Sequence, residues 1–451
     1  MVPTSTSALA FEGALFIVAK RPPASAARWR SVAMRTGKRS FLSSLVFGPL
    51  ALANFGFGRA AAERLRTRGR EIDAADFPNL QAALDAVPAT GASVRLPAGE
   101  FKLTRPLRIT RERTRLAGAG DATRLVNVNE SGEPALIVRH PERDSDPKAR
   151  LWGIQLEGFR VSGNPKSGDG LQIEGVNEIL IRALDIDHNG GHGINLVDGY
   201  ENPRICQLNV TYNGKAGLNI LKGHDLVVSA NQFEENQDAL RCIDSYNLTM
   251  TGNNIDDHLR DGIVIENTYG SVISGNMIEE CAGAAMVLDR DCYGITISAN
   301  VIAHNWNGIQ LRDAWGCAVS ANTFTIVAER ALFIGPGAGR ITVTGNNFSN
   351  DYLGAGLRKR TRPDAAWPEV TRATGVLLEA TSDVAIVGNV FAGLADSAVH
   401  ATGECRRVTL VGNVVSDIGR RDSGPVTAFR LDTVQEAIEA LNAVEKKFQG
   451  K

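Results

Sequence analysis

From Asp225 to Phe348 the chain alternates apolar and polar positions in short runs, and one pattern keeps returning. Val-Ser-Ala-Asn231-Gln-Phe, Met-Thr-Gly-Asn253-Asn-Ile and Ile-Ser-Gly-Asn276-Met-Ile open the series. Ile-Ser-Ala-Asn300-Val-Ile, Val-Ser-Ala-Asn322-Thr-Phe and Val-Thr-Gly-Asn346-Asn-Phe continue it. The Asn-to-Asn steps are 22, 23, 24, 22 and 24 residues. A fixed period of that size signals a solenoid. Residues 262–284 give the model coil: a strand over 262–265, a turn over 266–270, a second strand over 271–274, a corner at Gly275-Asn276 and a third strand from Met277. Side chains alternate along each strand, so the apolar positions line a narrow stacked core.

The same register extends both ways. Phe159, Leu184 and Leu208 hold the asparagine's place earlier, and Asn389 and Asn413 hold it later. The step from 346 to 389 is 43 residues, one coil plus an insertion, residues 351–374. That insertion carries Arg358, Lys359, Arg360, Arg362 and Trp367. Before the coils, Asp76 to Val87 reads as a short helix with Leu80, Leu84 and Val87 on one face. After them, Asp432 to Val444 has the apolar spacing of an amphipathic helix. Helix, then Leu96-Pro-x-Gly99-x-Phe101, then Leu116-x-Gly118-x-Gly120 resembles the opening of pectate-lyase-like right-handed parallel β-helix proteins. The expected fold is therefore all-β: a right-handed parallel β-helix over 63–425, with a cap at 72–120, coils at 121–420 and a helical tail at 426–451. About ten to twelve coils are expected.

Composition adds a compartment. Residues 1–62 hold eight Lys/Arg against one acid, Glu12, so without them the net charge falls from −1 by seven, to −8. A mildly acidic product argues against nucleic acid and anionic membrane as partners. Lys38-Arg39-Ser-Phe41-Leu42, a short apolar run and Ala60-Ala61-Ala62 give a basic region, an apolar region and a cut site in order. The layout resembles a twin-arginine signal with Lys38 in place of the first arginine. It implies passage through the Tat translocase into the periplasm or beyond, with Sec export as the alternative. Gly48 and Pro49 break the apolar run, so no stable membrane span is expected in the mature protein. Met34 lies just before the basic pair and is an alternative start. The six cysteines form no Cys-x-x-Cys pair and read as small buried residues.

The repeat puts other residues in columns. The asparagines suit the left-handed corner and hydrogen bonds between coils. A turn column runs Asp187, Thr211, Glu234, Asp256, Glu279, Ala303, beside His188, Tyr212, Glu235, Asp257, Glu280, His304. These acids are either solvated turn residues or a Ca2+ site; no other cofactor is expected. An aromatic column runs His224, Tyr246, Tyr269, Tyr293, Trp315, suited to stacking within the solenoid or to holding sugar rings. The fourth column, the outward middle residue of each Gly-Φ-x-Φ strand, runs Gln172, Asn195, Asn219, Arg241, Val264, Val287, Gln310, Phe333, Leu377. Asp169, His192, Asp238 and Asp261 flank its polar part on one side, and Asp198, Lys222 and Asp244 on the other.

In the superfamily that the opening resembles, this strand's outer face is the floor of a substrate groove. The resemblance implies acid/base work on an acidic glycan, with His192 or Arg241 as base and Asp169, Asp238 and Asp261 as acid or cation ligands. Gln172, Asn195, Asn219, Lys222 and Asp244 would bind substrate, and Trp367 would close from the insertion. The basic-pair signal followed by asparagine-ladder repeats resembles a family of twin-arginine-exported repetitive proteins, which has no assigned activity. That resemblance covers residues 34–430 and speaks to fold. The Asn-Thr-Asp, Asp-Asp and Arg-Ile-Lys set of polygalacturonases is missing. Asp185-Ile186-Asp187-His188 matches only the end of a pectate-lyase element, and no Arg-x-x-Pro-x-x-Arg follows. Two functions stand side by side: an exported protein that binds an acidic polysaccharide, and that as an enzyme would process it as a lyase, epimerase or hydrolase, and a non-catalytic envelope scaffold or binding protein.

Overall fold

A computed structural model describes residues 71–350, 373–419 and 427–445. The expected export segment lies outside these residues, as do Trp367 and the insertion through residue 372. The described chain winds through three long parallel sheets of 17, 14 and 13 strands, with a two-stranded ribbon beside them. It is a right-handed β-solenoid of about 14 turns, as the period predicts.

One coil shows how the sequence builds the whole. Ile263–Glu266 lies in the third sheet, Val272–Ser274 in the first and Met277–Glu279 in the second. Each strand pairs in register with the strand one coil on, as Val264 pairs with Val287 and Ile273 with Ile297. Ile263, Ile265, Ile273 and Ile278 point inward and are fully buried. The core is thus one continuous column of aliphatic side chains. Phe324, Phe348 and Phe391 continue it as stacked rings 4.6 and 4.7 Å apart.

The asparagine ladder is the hydrogen-bond spine. Asn300 Oδ1 accepts from the backbone N–H and the side-chain amide of Asn276, at 3.0 and 2.9 Å. Its own amide donates to Asn322 Oδ1 and to the carbonyl of Ile273, both at 3.0 Å. Every buried amide group in the spine therefore has a partner. Leu208, at the expected place, donates its N–H to Asn231 Oδ1 at 3.0 Å, so the ladder begins there. A second ladder, one corner further on, runs Asn189, Asn213, Asn236, with His258 next: Asn236 N–H donates to its Nδ1 at 3.2 Å. Cys281 N–H then donates to Asn305 Oδ1 at 3.0 Å.

Three expectations change. The solenoid exceeds ten to twelve coils because the cap is already coiled: Ala92–Arg95, Gly99–Leu103 and Leu107–Ile109 each join one of the three sheets. The short helix is present but tighter, Leu80–Asp85, with Asn79 capping it by accepting from Ala82 N–H at 2.9 Å. The C-terminal helix is absent. Val434–Ala440 is a strand paired with Cys405–Val411, and Ala443–Val444 is another paired with Val414 and Val415. Asn442 takes the ladder position and accepts from Asn413 N–H at 2.9 Å. The unpaired edge of the coil before supplies backbone partners that an isolated helix would forgo. Every residue of this last strand after Val434 is exposed, on both faces, so nothing imposes a period of two, and its apolar spacing resembles a helix.

Candidate functional site

The outer row of the third sheet has the expected register. Gln172, Asn195, Asn219, Arg241, Val264, Val287, Gln310, Phe333 and Leu377 are consecutive partners. Arg108 and Ile137 precede Gln172 in that row, and His400 and Arg430 follow Leu377. Val264 and Val287 are buried although they lie on the outer row. Arg312 holds Gln310 by two hydrogen bonds to its Oε1, at 2.9 and 2.6 Å. The polar floor therefore lies between Gln172 and Arg241.

The predicted residues fall into two groups. In the first, Asp169 is the hub. Its Oδ1 accepts from His192 N–H at 2.7 Å and its Oδ2 from Asn195 Nδ2 at 3.0 Å. Asn219 Nδ2 donates to Asn195 Oδ1 at 3.0 Å, which orients the two amides as a relay toward Asp169. His192 Nδ1 is buried and has no hydrogen-bond partner. Burial lowers the imidazole's pKa below its ordinary value; Asp169 opposes this, and Lys215 and Arg241 add to it. His192 meets Asp169 through its backbone N–H, and its imidazole lies within electrostatic reach of that carboxylate; a neutral imidazole is suited to proton transfer. Gln172 sits beside Asn195 in register.

The second group is locked. Asp238 is fully buried; its Oδ1 accepts from Arg260 Nε at 2.8 Å and from Asp261 N–H at 3.2 Å. Arg260 also pairs with Asp238 Oδ2, and Arg241 reaches that oxygen at 3.5 Å. The other end of Arg241 donates to Glu266 at 3.2 Å, and Glu266 is also paired to Arg290. Asp261 Oδ1 accepts from Ala284 N–H at 2.8 Å. Arg241 is held between two carboxylates, Asp238 and Glu266, and like any arginine it is a cation rather than a base. Asp238 and Asp261 are engaged as structural acceptors. Asp169 and His192 lie outside this ion-pair network.

On the far edge, Asp198, Lys222 and Asp244 occupy successive left-handed corners with φ of 58°, 58° and 51°. Asp244 accepts from Asn267 Nδ2 at 2.8 Å, and Lys222 is exposed. Asp198 anchors a wall that the sequence reading did not isolate. Residues 140–150 form a loop after the strand Leu136–Arg139. Its Arg143 pairs with Asp198, and its Arg150 donates to Asp198 Oδ1 at 2.9 Å. Arg150 also stands over the Tyr200 ring, 5.9 Å from its centroid. The run of charges from Arg139 to Arg150, longer than a coil's turn needs, was the available signal.

Tyr200 starts the aromatic column. Tyr200 and His224 stack at 4.9 Å, His224 meets Tyr246 edge-on at 6.0 Å, and Tyr246 stacks on Tyr269 at 5.6 Å. Where the rings stack they cover one another's faces, the surfaces that a sugar would need. From Tyr200 to Tyr269 the rings run as one column along the solenoid. The acidic turn column is also present. Ligand oxygens of Asp256, Asp257 and Glu280 lie within 4.8 Å of one another. Burial, then Asp257, Glu279 and Glu234, pushes Asp256 up to about 6. All six cysteines are free, and five are buried.

Comparison with known proteins bears on the coils. A family model described as "Periplasmic copper-binding protein (NosD)" matches residues 204–393. No curated protein matches. The A-module of the Azotobacter vinelandii mannuronan C-5 epimerase AlgE6 is similar at 15% identity over 83% of this chain and 99% of that one, with a TM-score of 0.48. A mutant of the periplasmic alginate epimerase AlgG is similar at 13% identity over 86% and 89%, with a TM-score of 0.44. A Yersinia enterocolitica family 28 exopolygalacturonase is similar at 14% identity over 85% and 79%, with a TM-score of 0.43.

Proposed function

We propose that this chain is an exported β-helix protein that binds an acidic polysaccharide along the outer face of the third sheet, from Gln172 to Arg241. The observation that carries this reading is the ordered polar row. Gln172, Asn195, Asn219 and Arg241 recur once per coil, at the spacing of about 4.8 Å that parallel strands impose. Amides and one fixed guanidinium repeated along a line suit a polymer with hydroxyls and carboxylates. The Asp198-anchored loop gives that line one wall. The basic-pair signal in the sequence and the word "periplasmic" in the matched family's description support the periplasm as compartment. Tat passage accords with a fold whose cysteines need no pairing.

If the bound glycan is processed, His192 is the base and Asp169 its partner, and the reaction is a lyase or epimerase type that begins with proton abstraction. The second reading, a non-catalytic binding module, is favoured by the locked state of Asp238, Arg241 and Asp261. The test is to screen the protein against acidic polysaccharides with and without Ca2+. Saturable binding that is weakened in Asn195→Ala/Asn219→Ala supports the site. Absence of new unsaturated or epimerised residues leaves the binding module. Binding unchanged in that variant refutes the floor.

Copper, named in the matched family's description, does not fit the donors here. Cu(I) seeks thiolates and thioethers, and Cu(II) seeks imidazoles. Between 204 and 393, Cys242, Cys281, Cys292 and Cys317 are buried, and burial raises each thiol's pKa, to about 11 for Cys242 and about 12 for Cys292. The sulfurs of Cys281, Cys292 and Cys317 lie against backbone carbonyls, as Cys292 does against Asp289 O at 3.3 Å. His258 sits inside the second ladder. Among the described residues, the group that converges is three carboxylates, oxygen donors suited to Ca2+.

A further inference from the structure

We propose that the polar track has a terminal subsite: the cleft at the N-terminal end of the solenoid takes the carboxylate-bearing end of the glycan. This inference rests on the polysaccharide reading above and adds to it where the chain end sits. The cleft is a cavity of about 1110 Å³ between the helix Leu80–Asp85 and the first coil. Its origin is in the fold. Ahead of the first full coil, the helix stands over the third sheet's first strand, Leu107–Ile109, and covers its edge. Gln81 Oε1 accepts from Arg108 N–H at 2.8 Å, and its Nε2 donates to Arg108 O at 3.1 Å. The second sheet's first strand, Gly99–Leu103, has no such cover. It pairs with Thr123–Asn127 on one side, and among the described residues nothing pairs with its other edge. The cleft lies along that edge.

The lining has the chemistry of an anion site. Lys102, Arg105 and Arg108 line it, and none makes an ion pair among the described residues. Elsewhere on this face arginines are paired, as Arg241, Arg260 and Arg290 are. Two carboxylates, Glu100 and Glu133, also line the cleft, leaving the cations in excess. Phe77 and Phe101, half-buried against the core, supply an apolar floor for a sugar ring. The free backbone edge supplies donors and acceptors for hydroxyls.

Position ties the cleft to the track. Arg108 lies in the same row as Gln172, Asn195 and Asn219. Arg105 precedes Leu107 by two residues, as Asp169 precedes Leu171 and His192 precedes Ile194, and these strand residues are register partners through Leu136. The two arginines therefore head the two columns of the candidate site. From Arg108 to Asn195 is three coil steps, about 14 Å at strand spacing. The helix closes the track at this end, so a chain lying along the row ends at the cleft.

The test uses isothermal titration of the purified full chain with 1,4-linked oligouronates from dimer to octamer, and with their carboxyl-reduced counterparts. The dimer is expected to bind, and the reduced dimer not. Arg105→Ala/Arg108→Ala is expected to weaken every oligomer at least tenfold, and Lys102→Ala to weaken the dimer severalfold. Asn195→Ala/Asn219→Ala should leave the dimer unchanged and weaken the octamer. All three cations are exposed, and circular dichroism checks that the variants stay folded. A dimer that binds the arginine variant as tightly as wild type, or binds equally when reduced, overturns the terminal subsite. An octamer unaffected by the asparagine pair, with the arginine effect intact, overturns the floor and leaves the cleft. Wild type that binds no oligomer overturns both.

Discussion

Asn300 shows how much one residue carries in this solenoid. Its amide closes four hydrogen bonds with two coils and a strand carbonyl, all out of water. Asn300→Ala is expected to destabilise by about 3 kcal/mol, because buried donors lose their acceptors. Asn442→Ala, at the half-buried end of the same ladder, is expected to lose about 1 kcal/mol. Chemical denaturation of the two variants side by side checks the contrast. His258 is the misfit of the second ladder. Burial drives its pKa down from 6.5 to about 4, and its Nε2 is buried without a partner. A base with a lowered folded-state pKa leaves stability intact above 6.5, and stability is lost as the pH falls from there toward 4. The loss amounts to about 3 kcal/mol once the folded form is also protonated. His258→Asn restores the ladder residue. Relative to wild type it should remove that acid loss; equal pH dependence in both proteins would refute the assignment.

Among the elements, the ends and the inserted loop depart from the repeat, and each does so through edge chemistry. Gln81 satisfies the N–H and C=O of Arg108 that the first strand of the third sheet leaves open. Gln81→Ala is expected to lower stability by about 1–2 kcal/mol and to speed amide exchange at Arg108, read by hydrogen exchange. At the other end, Val434–Ala440 covers the strand Cys405–Val411. Its apolar spacing reads as helical in the sequence, and only the neighbouring strand edge makes it extended. Asp198 ties the loop at 140–150 to the corner beside the floor. Asp198→Ala leaves Arg143 and Arg150 without that carboxylate. The expected result is faster proteolysis within 140–150 and weaker glycan binding, with the fold of the coils unchanged. Equal proteolysis rates would show that the loop is held by other contacts.

At the scale of the whole molecule, charge separates two functions of the acidic residues. Asp256 has its folded-state pKa raised to about 6, chiefly by burial and then by Asp257 and its coil neighbours. A carboxyl raised above its unfolded value of 3.8 is stabilised by protonation, so its contribution grows as the pH falls through 6 and is missing at neutral pH. Ca2+ would relieve the same repulsion. It is therefore expected to raise the Tm by a few degrees at pH 7.5 and not at pH 5, and to do nothing in Asp257→Asn. A copper-induced shift larger than the calcium one would contradict the donor chemistry. Any glycan chemistry at His192 runs on the neutral imidazole, which burial favours. Its rate should fall only on the acid side of 6.5, and His192→Gln should abolish it while keeping glycan affinity.

The sequence by itself determined the solenoid, its period, the register of every column and the faces those columns share. It could do so because one buried asparagine per coil is a local signal repeated many times, and a period of two along a strand fixes which side chains point outward. Gln172, Asn195, Asn219 and Arg241 were therefore legible as one row before any coordinates. What tertiary structure alone decided is pairing across coils. Asp238, Arg241 and Asp261 look reactive in the sequence, but Arg260 and Glu266, from the next coil, hold Asp238 and Arg241 in ion pairs, and the Ala284 N–H holds Asp261. Asn195 and the His192 backbone converge on Asp169, and burial lowers the pKa of the His192 imidazole. The end cleft was likewise illegible, since it exists only where a helix covers one sheet's first strand and leaves the next one open.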